Sequence, residues 1–186
     1  GLGTSIFSTT GWGVAWNGSL WVAFGQGTNT IATSSDGINW TGLGTSIFSS
    51  VGYGVAWSSS LSRWVAVGQG TNTVAYSSNG TSWTGLGVTS PTSPFTGFGR
   101  GIAWDGSLWV AGGNGTNTIA YSSDGITWTG LGTTTPNTPF TNIGRQPAWS
   151  SSLSRWVMTG SGTNTLAYSS DGITWTPETF TFAVAS

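Results

Sequence analysis

Nine side chains carry all the charge in this 186-residue sequence, and their placement limits the chemistry open to it. The acids are Asp36, Asp105, Asp124, Asp171 and Glu178, and the bases are Arg63, Arg100, Arg145 and Arg155. His, Cys and Lys are absent, which removes the usual general base, the thiolate nucleophile and the Schiff-base amine. Asp36, Asp124 and Asp171 share one setting, Ser-Ser-Asp-Gly-Ile-(Asn/Thr)-Trp, and Asn79 takes the same place in Ser77-Ser78-Asn79-Gly80-Thr81-Ser82-Trp83. An Asp or Asn before Gly accepts hydrogen bonds from the amides of its own turn, and Asn79 shows that the charge is dispensable there. A metal would need several converging carboxylates, whereas these recur one per repeat. No catalytic residue, metal or cofactor is expected.

Binding is better provided for. The residue ahead of each repeat's first strand reads Trp12, Tyr53, Arg100 and Arg145, while the residues around it stay nearly constant. Such a position is expected near the mouth of a central channel, where it either meets a ligand or adapts to the connection before it. A second candidate is the loop Gly-(Gln/Asn/Ser)-Gly-Thr-Asn-Thr, which carries Asn29, Asn72, Asn117 and Asn164. Four equivalent amides either present repeated sites to a repetitive glycan, raising affinity through multivalency, or bond their own backbone as Asn does in turns.

These residues need a scaffold, and the sequence supplies one four times over. Repeats at about 11–41, 52–84, 99–129 and 144–176 cover nearly the whole chain, which reads as a single domain over 1–186. In the first, Gly13–Trp16, Leu20–Phe24, Thr30–Ser34 and Ile38–Thr41 are short strand-like runs. Asn17-Gly18 and Asp36-Gly37 between them are strong hairpin signals, and helical periodicity is absent. The second and fourth repeats replace the Asn-Gly or Asp-Gly turn with Ser-Ser-Ser-Leu-Ser-Arg, so the repeats alternate in kind. Three Trp columns recur in every repeat and are expected to be packing. The predicted fold is all-β, a β-propeller of four four-stranded antiparallel blades.

The Ser-Ser-Asp-Gly-Ile-Thr-Trp segment resembles the Asp-box (BNR) of sialidase-like propellers. The familiar box is Ser-x-Asp-x-Gly-x-x-Trp; here Asp and Gly are adjacent, one residue closer. The resemblance covers about seven residues per repeat and implies a propeller hairpin more than an activity. Asp-boxes lie away from the catalytic centre in sialidases and occur in many non-enzymatic propellers. Sialidase chemistry would also call for an arginine cluster and a Tyr–acid pair, and the sequence displays neither.

With 5% charged residues and a net charge of −1, the chain has no cation cluster to neutralise a phosphate backbone, so nucleic acid is not an expected partner. No apolar run approaches a membrane span. Thirteen Trp and eight Phe argue for a packed core rather than disorder. The first residue is Gly1 and no signal peptide is visible, so a processed product, an excised domain or an expressed fragment is expected. The function expected is a non-catalytic, lectin-like carbohydrate-binding propeller, extracellular or surface-associated. The alternative is a structural or assembly module of a cell surface, virion or filament. Partners are accordingly a glycan or other subunits, including copies of itself. The alternating tail Thr179–Val184, within 177–186, is expected to pair as a closing or assembly strand.

Overall fold

Sixteen strands and no helix are present among residues 3–178, the part of the chain that the computed structural model describes. They form four antiparallel units in chain order. Unit 1 holds β1 (Thr10–Trp16), β2 (Trp21–Gln26), β3 (Ile31–Ser34) and β4 (Thr41–Gly42). Unit 2 holds β5 (Val51–Ser58), β6 (Arg63–Gln69), β7 (Val74–Ser77) and β8 (Thr84–Gly85). Unit 3 holds β9 (Phe98–Trp104), β10 (Trp109–Asn114), β11 (Ile119–Ser122) and β12 (Thr129–Gly130). Unit 4 holds β13 (Ile143–Ser150), β14 (Arg155–Ser161), β15 (Leu166–Ser169) and β16 (Thr176–Pro177). Units 3 and 4 are separate four-stranded sheets, while one bridge, Gln26 to Val51, joins units 1 and 2 into a single sheet of eight strands. The expected pairing of Thr179–Val184 lies outside the described residues.

The turns form for local reasons. Asn17 Oδ1 accepts the N–H groups of Ser19 and Leu20 at 2.8 and 2.7 Å, and Asp105 repeats the arrangement at Ser107 and Leu108. In the Ser-Asp-Gly turns, Asp36 Oδ1 accepts the N–H groups of Ile38 and Asn39 at 2.8 and 2.7 Å. Asn79 Oδ1 does the same for Thr81 and Ser82 at 3.0 and 2.8 Å, so the unit lacking the charge keeps the turn. Hydrogen bonds from the Asn39 and Ile38 backbones, then from the Asn39 and Ser34 side chains, hold the Asp36 carboxyl well below the usual carboxylate range. At Asp124 and Asp171 burial works against the ionised form, but the same backbone donors outweigh it and both carboxyls titrate low.

The outermost strand differs from expectation. Ile38 to Trp40 belong to the turn, and pairing begins only at Thr41. The donors captured by Asp36, together with a bond from Trp40 Nε1 to the Gly37 carbonyl at 3.1 Å, leave that backbone no ladder to join.

Packing runs from each unit to the next. The side of unit 1 bearing Val22, Phe24 and Ile31 meets the side of unit 2 bearing Phe48, Trp64 and Ala75. Val65, Val67 and Val74 of unit 2 meet Phe95, Trp109 and Ala120 of unit 3. Val110 and Ile119 of unit 3 meet Phe140, Trp156 and Ala167 of unit 4. A buried hydrogen bond repeats across each seam: Thr30, Thr73 and Thr118 donate their hydroxyls to the carbonyls of Phe48, Phe95 and Phe140 at 2.8, 2.8 and 2.7 Å. Among the described residues no comparable packing joins unit 4 to unit 1, so three seams are formed and the arc is open.

Candidate functional site

Each first strand carries a register irregularity against its neighbour, between Gly11 and Gly13 in β1, Gly52 and Gly54 in β5, opposite Gly112 and Gly113 in β9, and between Gly144 and Pro147 in β13. Trp12, Tyr53, Arg100 and Arg145 are the residues at these irregularities. An extra residue in a strand breaks the in–out alternation and re-aims a side chain, which is how four backbones place this column on the inner side of the arc. Glycines flank it because successive first strands run close together. A Cβ added at Gly13 would lie 2.9 Å from the Tyr53 carbonyl oxygen, and one at Gly101 would lie 2.5 Å from that of Arg145.

The four residues converge. Together with Gln146 and Thr159 they line one hollow of about 280 Å3, to which every unit contributes. The Arg100 guanidinium lies over Tyr53 at 4.3 Å and over Trp12 at 4.8 Å from the ring centroids. The two rings meet edge to face at 5.5 Å. Tyr53 also donates its hydroxyl to Gln69 Oε1 at 3.3 Å. Trp12 remains 45% exposed, so a broad aromatic face is open to solvent beside two guanidinium groups. No Asp or Glu is among the lining residues. Cation–π stacking fixes Arg100 while leaving its N–H groups unpaired by acid, a setting suited to a carboxylate or another planar anion.

The Asn column goes elsewhere. Asn29 Nδ2 donates to the Ile6 carbonyl at 2.8 Å and its Oδ1 accepts the Gly44 N–H at 2.8 Å. Asn72 and Asn117 repeat both bonds, and Asn164 Nδ2 donates to the Pro139 carbonyl at 2.7 Å. These amides tie the connection before each unit to the turn after its second strand and, in units 1 to 3, to the segment that follows its last strand. None reaches the hollow.

Sequence reasoning passed over Gln146 and Thr159. Gln146 stands where the other repeats have Gly13, Gly54 and Gly101, and Thr159 where they have Phe24, Val67 and Gly112. Gln146 in place of an otherwise constant glycine was the available signal; the Thr159 position varies in every repeat and gave none.

No family model matches the chain, and no curated protein matches it. Solved structures do. Virginiamycin B lyase from Staphylococcus aureus superposes with a TM-score of 0.71 over 97% of this chain and 58% of its own, at 12% identity. A chain of a nidogen/laminin complex gives 0.66 over 88% and 61%, at 14% identity. The extracellular domain of BT4673, a putative one component system of B. thetaiotaomicron, gives 0.64 over 91% and 22%, at 11% identity. The chain thus spans less than two thirds of the length of each. At such identities the likeness speaks for fold alone, and the fold it establishes is β-propeller-like.

Proposed function

We propose that the four units are blades of a propeller whose inner hollow binds an acidic saccharide without transforming it. The observation that carries this reading is the convergence of Trp12, Tyr53, Arg100 and Arg145 on one hollow free of acids. A pyranose face stacks on an exposed indole, and a sugar carboxylate or sulfate accepts paired N–H bonds from guanidinium groups. Arg is suited to this because its planar fork is already organised, here by the Trp12 and Tyr53 rings. A non-catalytic role follows from the fate of the carboxylates. Asp36, Asp124 and Asp171 are occupied within their own turns, one per blade, and Asp105 caps another. An extracellular or surface location suits the low charge of the chain and is in keeping with the BT4673 domain.

A glycan array on the purified protein tests the reading, followed by titration of the best ligand into Arg145→Ala and Tyr53→Ala variants. Binding should favour acidic over neutral glycans, weaken in both variants, and fall as salt screens the guanidinium charges. A silent array, or affinity unchanged in both variants, would overturn it. A second reading, as an assembly module, is favoured by the uncovered outer faces of units 1 and 4.

A further inference from the structure

We propose that the protein binds a second copy of itself head to tail, the free face of unit 4 in one copy docking on the free face of unit 1 in the other. Used twice, that contact closes two chains into one ring. The inference rests on reading the units as propeller blades and is independent of what the hollow binds.

Both free faces are halves of the seam that the chain already builds three times. On unit 1, Phe7, Trp21, Ala23, Ala32 and Trp40 stand where unit 2 has Phe48, Trp64, Ala66, Ala75 and Trp83. Phe48 and Trp64 are fully buried by the preceding unit, whereas Phe7 and Trp21 are partly exposed, and Phe7, Ala23 and Trp40 line an open apolar cleft. Val14, the counterpart of the seam residues Val55 and Ile102, is 57% exposed. On unit 4, Val157 corresponds to Val22, Val65 and Val110, all fully buried, and is 40% exposed.

Features that only a neighbour would use are retained on both faces. Thr165 occupies the place of Thr30, Thr73 and Thr118, whose hydroxyls reach across the three seams, yet it is exposed. Its acceptor in a fourth seam would be the Phe7 carbonyl. Gly99 must be glycine because a Cβ there would lie 2.7 Å from the Thr73 carbonyl oxygen of the preceding unit. Gly11 is its counterpart, although a Cβ there would meet nothing nearer than Phe7 of its own unit at 3.8 Å. Similarly, a Cβ on Gly80 or Gly172 would approach Leu20 or Leu108 of the preceding unit, while one on Gly37 would meet only Trp21.

The alternation of the repeats specifies what the fourth seam should look like. Leu20 and Leu108 insert at the first and third seams, and at the second Arg63 Nη1 donates to the Asp124 carbonyl. The next in the series is again arginine. Arg155 lies over Tyr168 at 5.4 Å much as Arg63 lies over Tyr76 at 5.7 Å, and its counterpart acceptor would be the Asp36 carbonyl of unit 1. The first carbon of the Gln146 side chain has room in this seam. At Gly54, its counterpart in the other arginine seam, an added Cβ would meet nothing nearer than 3.5 Å. A head-to-tail contact closes only in rings, and two copies give eight blades, within the usual range for propellers, whereas three would exceed it.

Sedimentation velocity on the full chain should give twice the 19.1 kDa chain mass. Val14→Asp and Val157→Asp alter exposed side chains on opposite faces, and each alone should sediment as a folded single chain with an unchanged circular dichroism spectrum. Mixing the two variants leaves one seam with both faces native, so the mixture should recover a two-chain species. A single-chain mass for the native protein would overturn the proposal, as would a larger ring or filament. So would two chains that persist in both variants. Saccharide titration of the native chain beside its sedimentation separates the two readings: a native single chain that binds removes the assembly alone, and a native two-chain ring that binds no saccharide removes the proposed function alone.

Discussion

Trp64 and Trp21 occupy the same place in successive repeats and pair in the same way with a Trp on the adjacent strand. Trp57 lies 4.9 Å from Trp64, and Trp16 lies 4.9 Å from Trp21. Trp64 is fully buried, because Val22 and Phe24 of unit 1 belong to the cluster that covers it. Trp21 has no preceding unit over it and is partly exposed. The same Trp-Val-Ala strand segment thus yields a core residue in one unit and a partly exposed one in another. In a repeat array a blade makes only half of its core, and the neighbour supplies the rest.

The largest expected effect comes from breaking that comparison directly. Trp64→Ala should cost about 3–5 kcal/mol, as large-to-small core changes do, because a ring enclosed by two units leaves a cavity. Trp21→Ala should cost clearly less when measured in the Val157→Asp background, where unit 1's face is uncovered. Urea melts of the two variants decide it; equal losses would mean that burial across the seam is not what stabilises the indole.

The seam hydroxyls sharpen the same contrast at smaller scale. Thr73→Val removes a buried hydroxyl that bonds both the Phe95 carbonyl and Ser93 Oγ and should cost about 1 kcal/mol, the loss of a hydrogen bond, since Ser93 Oγ still donates to that carbonyl at 3.2 Å. Thr165→Val, on the exposed face of the single chain, should be close to neutral. Chemical denaturation of both variants in the single-chain background is the measurement, and a neutral Thr73→Val would show that the repeated bond contributes no stability.

Much of this was legible in the sequence because each blade is specified locally. Asn17-Gly18 and Asp36-Gly37 mark turns that close through their own side chains, and the repeat spacing sets the four units. The hollow was legible through a variable position in a nearly constant frame, since Trp12, Tyr53, Arg100 and Arg145 each fall at a strand irregularity. The open seam was not. Residues Phe7, Trp21 and Trp40 match their buried counterparts, so nothing in them records that no described unit covers them. The extent of the outer strand was also hidden, because Ile38 reads as a strand residue while its N–H is held by Asp36.

The smallest effect at neutral pH concerns the turn acids, and acidity should then magnify it. Asn79 makes in unit 2 the two backbone bonds that Asp124 makes in unit 3, so Asp124→Asn should change stability by less than about 1 kcal/mol at pH 7. Acid should part the two proteins. The Asp124 carboxyl titrates below its ordinary value in the folded chain, since burial, which raises it, is outweighed by the Ile126 and Thr127 backbone donors. A depressed folded value means that the unfolded chain binds the proton first as pH falls. The stability so gained is complete above about pH 4, where the unfolded carboxyl titrates, and drains away as pH falls toward the folded value. Asp36 and Asp171 are lowered in the same sense and add to the loss. Urea midpoints measured from pH 6 to pH 2 should therefore fall for the native chain and fall less steeply for Asp124→Asn. Parallel curves would mean that this turn holds Asp and Asn alike without favouring the charge, which would remove the Asp124 carboxylate from any account of stability in this protein.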